Sequence, residues 1–531
     1  MLGGTTHPYA RKRPTETRLL PEAPSVWMAK TADLPLVIPT KTGTLVLGGL
    51  CGATSTQVAT DVRVSVPDDI TCRWPGAYVA VHVEEHQVHV WTDLGALPVY
   101  VRTGEDGEVI WSTSARALAS FDSAPRLNLG AVAGFIKGRP LEHSLFAGVD
   151  RLPAGHRVLL RRGVWSAKPV WSPRPSPVPT AHRLRRALED AVALRVDRFV
   201  RPTCDFSGGL DSTSLALLAA RRLAPASRTI TGTTLHPAGI TRGGDLNYAK
   251  DAATASGFDH AWIGMDRSHA PYRDLTALPP TDEPPVSAIS VASFAAQMRW
   301  LAAHGSDVHM TGDGGDALLL TPPVYFAEMI KRHRLRALRA ASRFAQVRRK
   351  SMRQVLDRAR AVAPVHTGLR LPSITHQKVI STLIDSARSA RADVELAASL
   401  GVRLDNPFFD AQVIDTYLAM PLEEMPEPAQ YKPLLVEAMS DVLPVSLQGR
   451  TTKATTTADH YEGLRRSLAQ VSAMLDGHLA AAGLIDVPTI RSRMRALAAG
   501  AGDLGPIEPI IAAEAWWHAI KPVAWEDGGP R

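Results

Sequence analysis

Residues 204–213 read Cys-Asp-Phe-Ser-Gly-Gly-Leu-Asp-Ser-Thr, and an Ala- and Leu-rich helical run over residues 214–223 follows without a break. A buried strand that enters a Ser-Gly-Gly turn and leaves it as a helix fits few architectures. It marks the carboxyl edge of a parallel sheet, where turn N–H groups and a helix N-terminus converge on an anion. The glycines allow the tight turn, and Ser207 and Ser212 add hydroxyl donors. Ser207, Gly208, Gly209 and Ser212 therefore form a candidate pyrophosphate cradle. Asp211 repels phosphate, so its place in the cradle suits a ligand for Mg²⁺, which bridges carboxylates and phosphates. The lysine of a GxxxxGK[ST] loop is missing, which excludes that class of phosphate-binding loop.

A second apolar run meets a second glycine-rich turn at Val308-His309-Met310-Thr311-Gly312-Asp313-Gly314-Gly315-Asp316. Alone, this segment reads equally as a tight surface loop. Paired with the first turn it gains a role at the same sheet edge. Thr311 and Gly312 are candidate nucleotide contacts, Asp316 completes the Mg²⁺ site with Asp211, and Asp313 faces the substrate.

The surrounding chain has two textures. Short β-branched or aromatic runs at 44–47, 62–66, 78–83, 88–92, 99–102 and 109–112 are separated by Gly, Asp and Pro turns. Helical stretches at 114–121 and 129–137 and a hairpin at 156–161 and 164–170 follow, giving a β-rich unit over residues 26–170. Residues 1–25 are polar, basic and without period, and read as disordered. Four prolines within 171–180 read as a linker. Over 181–531, strands alternate with helices and then give way to helices, which argues for a parallel sheet covered on both faces. The fold class expected is α/β with an α+β N-terminal domain.

Composition narrows the rest. The three cysteines, Cys51, Cys72 and Cys204, are too widely spaced for a disulfide framework or zinc ribbon and fit a reducing compartment. There is no apolar run of ~18 residues and no apolar signal core near the start, so a cytoplasmic location is expected. The formal net charge is +8, but residues 331–360 hold twelve Lys or Arg against Asp357 alone. The remaining chain has 48 basic and 51 acidic residues. The basic character belongs to that insertion, which reads as solvated amphipathic helices or as a docking surface for an acidic partner.

The Ser-Gly-Gly-x-Asp-Ser turn resembles the signature of PP-loop ATP pyrophosphatases. Its order after a β-rich unit and before Gly312-Asp313-Gly314-Gly315-Asp316 resembles the asparagine synthetase B superfamily over nearly the whole chain. Trp74–Tyr78 and Asp93–Tyr100 are similar to that family's NGxFA and RDxxGxxPLYY runs, Leu145–His156 to LFxGVxxLPPGH, and Asn406–Asp410 to PFLD. The resemblance implies ATP and Mg²⁺ as cofactors and a degenerate Ntn glutaminase-like domain ahead of the synthetase domain. Glutamine-dependent members carry a cysteine at position 2, where this chain has Leu2; Cys51 is internal and reads as a packed thiol. Without a glutaminase, the nucleophile expected is an amine on the substrate itself, as in β-lactam synthetases and lasso peptide macrolactam synthetases.

Tyr431–Leu435, Arg450–Lys453, Tyr461–Arg465, Gly483–Asp486, Asp282–Pro284 and the basic insertion resemble segments of actinobacterial lasso cyclases. That resemblance implies a side-chain carboxylate of a precursor peptide activated by ATP and then attacked by the peptide's α-amine. It implies Asp313 and Lys453 as catalytic residues, with Lys453 stabilising phosphate charge. As partners it implies the precursor peptide, a leader-binding protein and a leader peptidase, with no nucleic acid and no membrane span. Arg403 stands where asparagine synthetases carry a glutamate, so a Tyr–Glu pair of the β-lactam synthetase kind is not expected and Asp313 lacks an obvious partner. A PP-loop tRNA-modifying enzyme is the alternative that accounts for the basic segment, though not for the β-rich unit.

Overall fold

The computed structural model describes residues 1–121, 124–141, 143–240, 243–254, 258–361, 367–452 and 457–527. Two six-stranded antiparallel sheets form the N-terminal part. The first runs, in spatial order, Asp150–Arg151, Tyr100–Thr103, Val109–Ser112, Leu2–Thr5, Ala23–Ala29 and Thr17–Leu20. The second runs Val164–Pro169, His156–Arg161, Val88–Trp91, Gly76–Glu84, Gly43–Cys51 and Leu36–Pro39. Strand alternation puts Val79 and Val81 on one face, where they meet Leu2, Val26, Met28 and Trp111 of the other sheet. Tyr78 and Ala80 face the other way, onto Val58, Val62 and Ile70.

Two expectations are corrected here. Residues 1–25 are not disordered: Leu2–Thr5 is an interior strand, paired with Ala23–Ala29 on one side and Val109–Ser112 on the other. Gly3 and Gly4 make this possible. A Cβ on Gly3 would lie 2.6 Å from Trp27 Nε1, and one on Gly4 2.8 Å from the Trp111 ring, so the strand passes between two indoles. Lys12–Pro14 is also a strand, paired with Trp525–Asp527 in a separate two-stranded sheet. Residues 62–66 are not a strand either. A capping box of Thr54 and Gln57 starts a helix at Ser55–Asp61, and Val62 caps its end.

The second part is built on a five-stranded sheet, parallel throughout, in the order Phe258–Met265, Ile230–Pro237, Pro202–Asp205, Val308–Met310 and Leu404–Asp405. The helices Thr180–Val196 and Leu210–Leu223 belong to its main apolar core, with Leu184, Leu188, Leu215 and Leu218 buried. Before them, residues 171–179 carry no regular structure but are held, since Trp171 is buried and the Arg174 N–H donates to Asp415 at 3.3 Å. The two parts are joined by Asp282 and Glu283. Asp282 accepts from the Ser114 hydroxyl at 2.9 Å and the Ala115 N–H at 2.8 Å, capping the helix Ala115–Ala119 across the boundary. Buried Glu283 pairs with Arg388 at 2.5 Å.

Arg195 pins the last strand. Its side chain is fully buried, and its guanidinium reaches both oxygens of Asp410, at 2.9 and 2.7 Å, and Asp405 at 2.7 Å. Among the described residues no helix is long and apolar enough to cross a membrane.

Replacing Arg195 by leucine leaves two carboxylates without their buried counter-charge. Urea unfolding of Arg195→Leu is expected to lose about 3–5 kcal/mol. A loss under about 1 kcal/mol would show that the pair does not hold the strand.

Candidate active site

Three neighbouring strands end side by side: Pro202–Asp205 in the Ser207 turn, Val308–Met310 in the Thr311 turn, and Leu404–Asp405 at Asn406. Close backbone approach then sets the glycines. Gly208 has φ +78°, and a Cβ on it would lie 2.1 Å from the Asp245 carbonyl. In the second turn, a Cβ on Gly312 would lie 2.9 Å from Ser212 N, and one on Gly315 2.5 Å from Asp211 Cγ. The second turn therefore rests directly on the first turn of the Leu210–Leu223 helix. Only glycine lets the two loops touch.

Hydrogen bonds fix the cradle. The Ser207 and Ser212 hydroxyls are 3.0 Å apart, and the Gly209 N–H donates to Ser207 Oγ at 3.2 Å. Thr311 donates to Asn406 Oδ1 at 2.7 Å, and the Asp313 N–H donates to Thr311 Oγ1 at 3.1 Å. Asp211 sits in the first helical turn beside the partial positive charge of the helix N-terminus.

Between the loops stands Lys432, a residue of the Tyr431–Leu435 run to which the sequence attached no role. Its fully buried ammonium bonds Asp211 Oδ2 and lies 2.5 Å from Asp316 Oδ1. The backbone of Lys432 is left-handed, φ +50°, and delivers the side chain just before Pro433 opens a short helix. It belongs to the Tyr431-Lys432-Pro433 run; a lysine set among apolar residues directly before a proline was the available signal. Asp211 is largely covered, whereas the side chain of Asp316 is 49% exposed and opens the cluster to solvent.

Arg450 is the second such residue. It is buried, bonds the Gly208 carbonyl and Asp245, and donates from Nε to the Thr452 carbonyl at 2.6 Å, clamping the first turn from behind. Lys453 lies outside the described residues. Asp313 does have a carboxyl neighbour. Burial first, and the charge of Asp313 second, push Asp393 up to about 7, although the Ser287 N–H and hydroxyl donate to it at 3.1 and 3.0 Å. Arg403 serves elsewhere: it pairs with Asp33 of the N-terminal part, with its guanidinium 4.9 Å from the Phe199 ring centre. A cavity of about 660 Å³ lies between the two parts, lined by Leu2, Met28, Leu97, Arg391 and Asn406, and so backs onto the Thr311 turn.

Asp211 and Asp316 fit a Mg²⁺ site. Both are hard oxygen donors converging on one positive charge, and Mg²⁺ is commonly held by one or two carboxylates plus substrate phosphates.

Two glycine turns, paired carboxylates and a buried ammonium thus meet at adjoining ends of a parallel sheet. The chain belongs to the asparagine synthase family, whose family model matches residues 183–518, more than half of its length. Members of that family are ATP-dependent enzymes of the amidotransferase or ligase type and use ATP, usually with Mg²⁺. No curated protein sequence matches it. Among solved structures, the chain is 12% identical to the allosteric regulatory enzyme of purine biosynthesis, covering 46% of this chain and 64% of that one, with TM-score 0.18. It is also 12% identical to glutamine phosphoribosylpyrophosphate amidotransferase from B. subtilis with ADP and GMP, covering 54% of this chain and 67% of that one, with TM-score 0.20. Likenesses this distant carry no structural argument.

Two expectations follow from the site. Lys432→Met is expected to lower ATP turnover by about 100-fold, as loss of a preorganised charge at the reacting phosphates does; steady-state pyrophosphate release reads this. Second, the raised pKa of Asp393 means the folded state binds a proton that the unfolded state has released between about pH 4 and 7. Stability therefore falls as pH rises through that window. Asp393→Asn is expected to raise Tm at pH 8 relative to the parent and to narrow the difference at pH 5, in thermal melts at both pH values.

Proposed function

We propose that this chain closes a macrolactam ring in a peptide, in the manner of lasso peptide macrolactam synthetases. ATP activates a side-chain carboxylate, and the peptide's own α-amine displaces AMP. The observation that carries the substrate half of this reading is the state of the thiols. Burial pushes Cys51 up to about 11, Cys72 up to about 12 and Cys204 well above the ordinary range. A thiolate nucleophile for glutamine hydrolysis is therefore disfavoured at all three, and the amine arrives with the substrate. Leu2 supports the same reading from the sandwich core, where it packs against Gly48 so closely that a Cβ there would lie 2.3 Å from it.

In the first step a carboxylate oxygen of the peptide attacks the α-phosphorus, and pyrophosphate leaves. The Ser207–Gly209 turn and the Ser212 hydroxyl bind its oxygens, and Lys432 counters their charge from beneath. Asp211 and Asp316 would hold Mg²⁺, which would supply countercharge to the polyphosphate. In the second step the α-amine attacks the acyl carbon, the amide forms, and AMP leaves. The Asp313–Asp393 carboxyl pair takes up the proton lost from nitrogen. A group near pH 7 is matched to an α-amine of pKa ~7.7–8.0. Most of the acceleration comes from holding the amine against the adenylate. The degenerate glutaminase-like sandwich, a leader-binding protein and a leader peptidase belong to this reading, as does Lys453 as a further phosphate contact.

The test uses a leader-free peptide with a free α-amine and an internal Asp or Glu, presented with ATP and Mg²⁺. Mass spectrometry is expected to show loss of one water, with AMP and pyrophosphate formed in equal amounts. ADP and phosphate, or an unmodified peptide with ATP consumed, would overturn the reading.

A further inference from the structure

The basic segment folds as a platform. The helices Val324–Arg332, Arg334–Val347 and Met352–Arg360 bury Phe326, Met329, Ala337, Ala341, Val355 and Ala359 against the core of the synthetase part. The outer face of the middle helix presents Leu335, Arg336, Arg339, Arg343, Gln346 and Val347 to solvent. Leu335 is 73% and Val347 61% exposed, so two apolar side chains flank a stripe of guanidinium groups. Part of the charge is used internally, since Arg332 pairs with Glu423, and Arg343 and Arg336 with Glu427. Among the described residues, Arg334, Arg339, Arg349, Lys350 and Arg358 enter no ion pair. Twelve basic residues against one acid, on a chain otherwise slightly acidic, is a field aimed at an acidic partner.

The face also leads to the active site. A groove of about 620 Å³ runs between Arg336 and Arg343 on one wall and Met425, Gln430 and Pro433 on the other. Pro433 follows Lys432, whose ammonium lies between Asp211 and Asp316. Anything seated in the groove therefore lies against the segment that carries the buried lysine.

We infer that this basic platform docks an acidic segment of the peptide substrate, with carboxylates on its unpaired arginine and lysine side chains and apolar side chains on Leu335 and Val347. The inference rests on the peptide-cyclising reading for its substrate. A nucleic acid fits less well. Leu335 and Val347 offer exposed apolar contacts that a phosphate backbone does not use.

The test is fluorescence anisotropy of a labelled synthetic peptide of alternating Glu and Leu, titrated with the full chain at low salt and without ATP. The comparison is the triple variant Arg334→Glu, Arg339→Glu, Arg358→Glu, with thermal melting as the check on its fold. Affinity is expected to fall by about tenfold or more in the variant, and likewise for a peptide with Gln in place of Glu. Equal binding by the folded variant, or tighter binding of a single-stranded oligonucleotide that displaces the peptide, would overturn the inference. Because binding is read without turnover, the two proposals fail separately. Absence of ring closure with binding intact sinks only the reaction, and ring closure by a chain that does not bind the acidic peptide sinks only the docking face.

Discussion

A lysine ammonium without solvent, held between two aspartates from different strands' loops, is the contact on which the site depends. Lys432 has no exposed side-chain surface, and desolvating an ammonium is costly unless carboxylates surround it. Asp211 comes from the first turn of the Leu210–Leu223 helix and Asp316 from the first turn of the short helix Gly315–Leu319, so the lysine staples the two together. The glycines at 312 and 315 give that staple its reach. Any side chain there would force the loops apart by the 2.5–2.9 Å clashes described above and pull the carboxylates off the ammonium.

Around this cluster the structure spends buried charge freely but always in partnered form. Arg195 holds the end of the last strand through Asp405 and Asp410, Arg450 holds the first turn, and Asp282 and Glu283 fasten the sandwich to the synthetase part. The residues these contacts join lie between 105 and 242 positions apart in the chain. The sheet edge is therefore positioned by both halves of the chain, and the antiparallel sandwich contributes even though none of its thiols is poised to react.

The local part of this was legible in the sequence. A strand, a Ser-Gly-Gly turn and a helix obey short-range rules, and so do the β-hairpins of the sandwich. Long-range pairing was not legible. Leu2–Thr5 looks like a polar tail because glycines at 3 and 4 hide its interior position, and only the indoles of Trp27 and Trp111 explain them. Lys432 and Asp393 were missed for the same reason: each gains its role from groups more than seventy residues away. The thirty-residue basic segment was visible as charge, yet its division into paired and unpaired arginines required Glu423 and Glu427 to be placed beside it.

In the proposed reaction the carboxylate attacks the α-phosphorus at the Ser207–Asp316 site before the amide forms. Oxygen-18 transfer measures this directly. A peptide substrate labelled with ¹⁸O in its acceptor carboxylate is converted with unlabelled ATP, and the products are weighed by mass spectrometry. One ¹⁸O is expected in the phosphate of AMP and none in pyrophosphate. Label in inorganic phosphate, or AMP released without label while the amide forms, would contradict the proposed reaction.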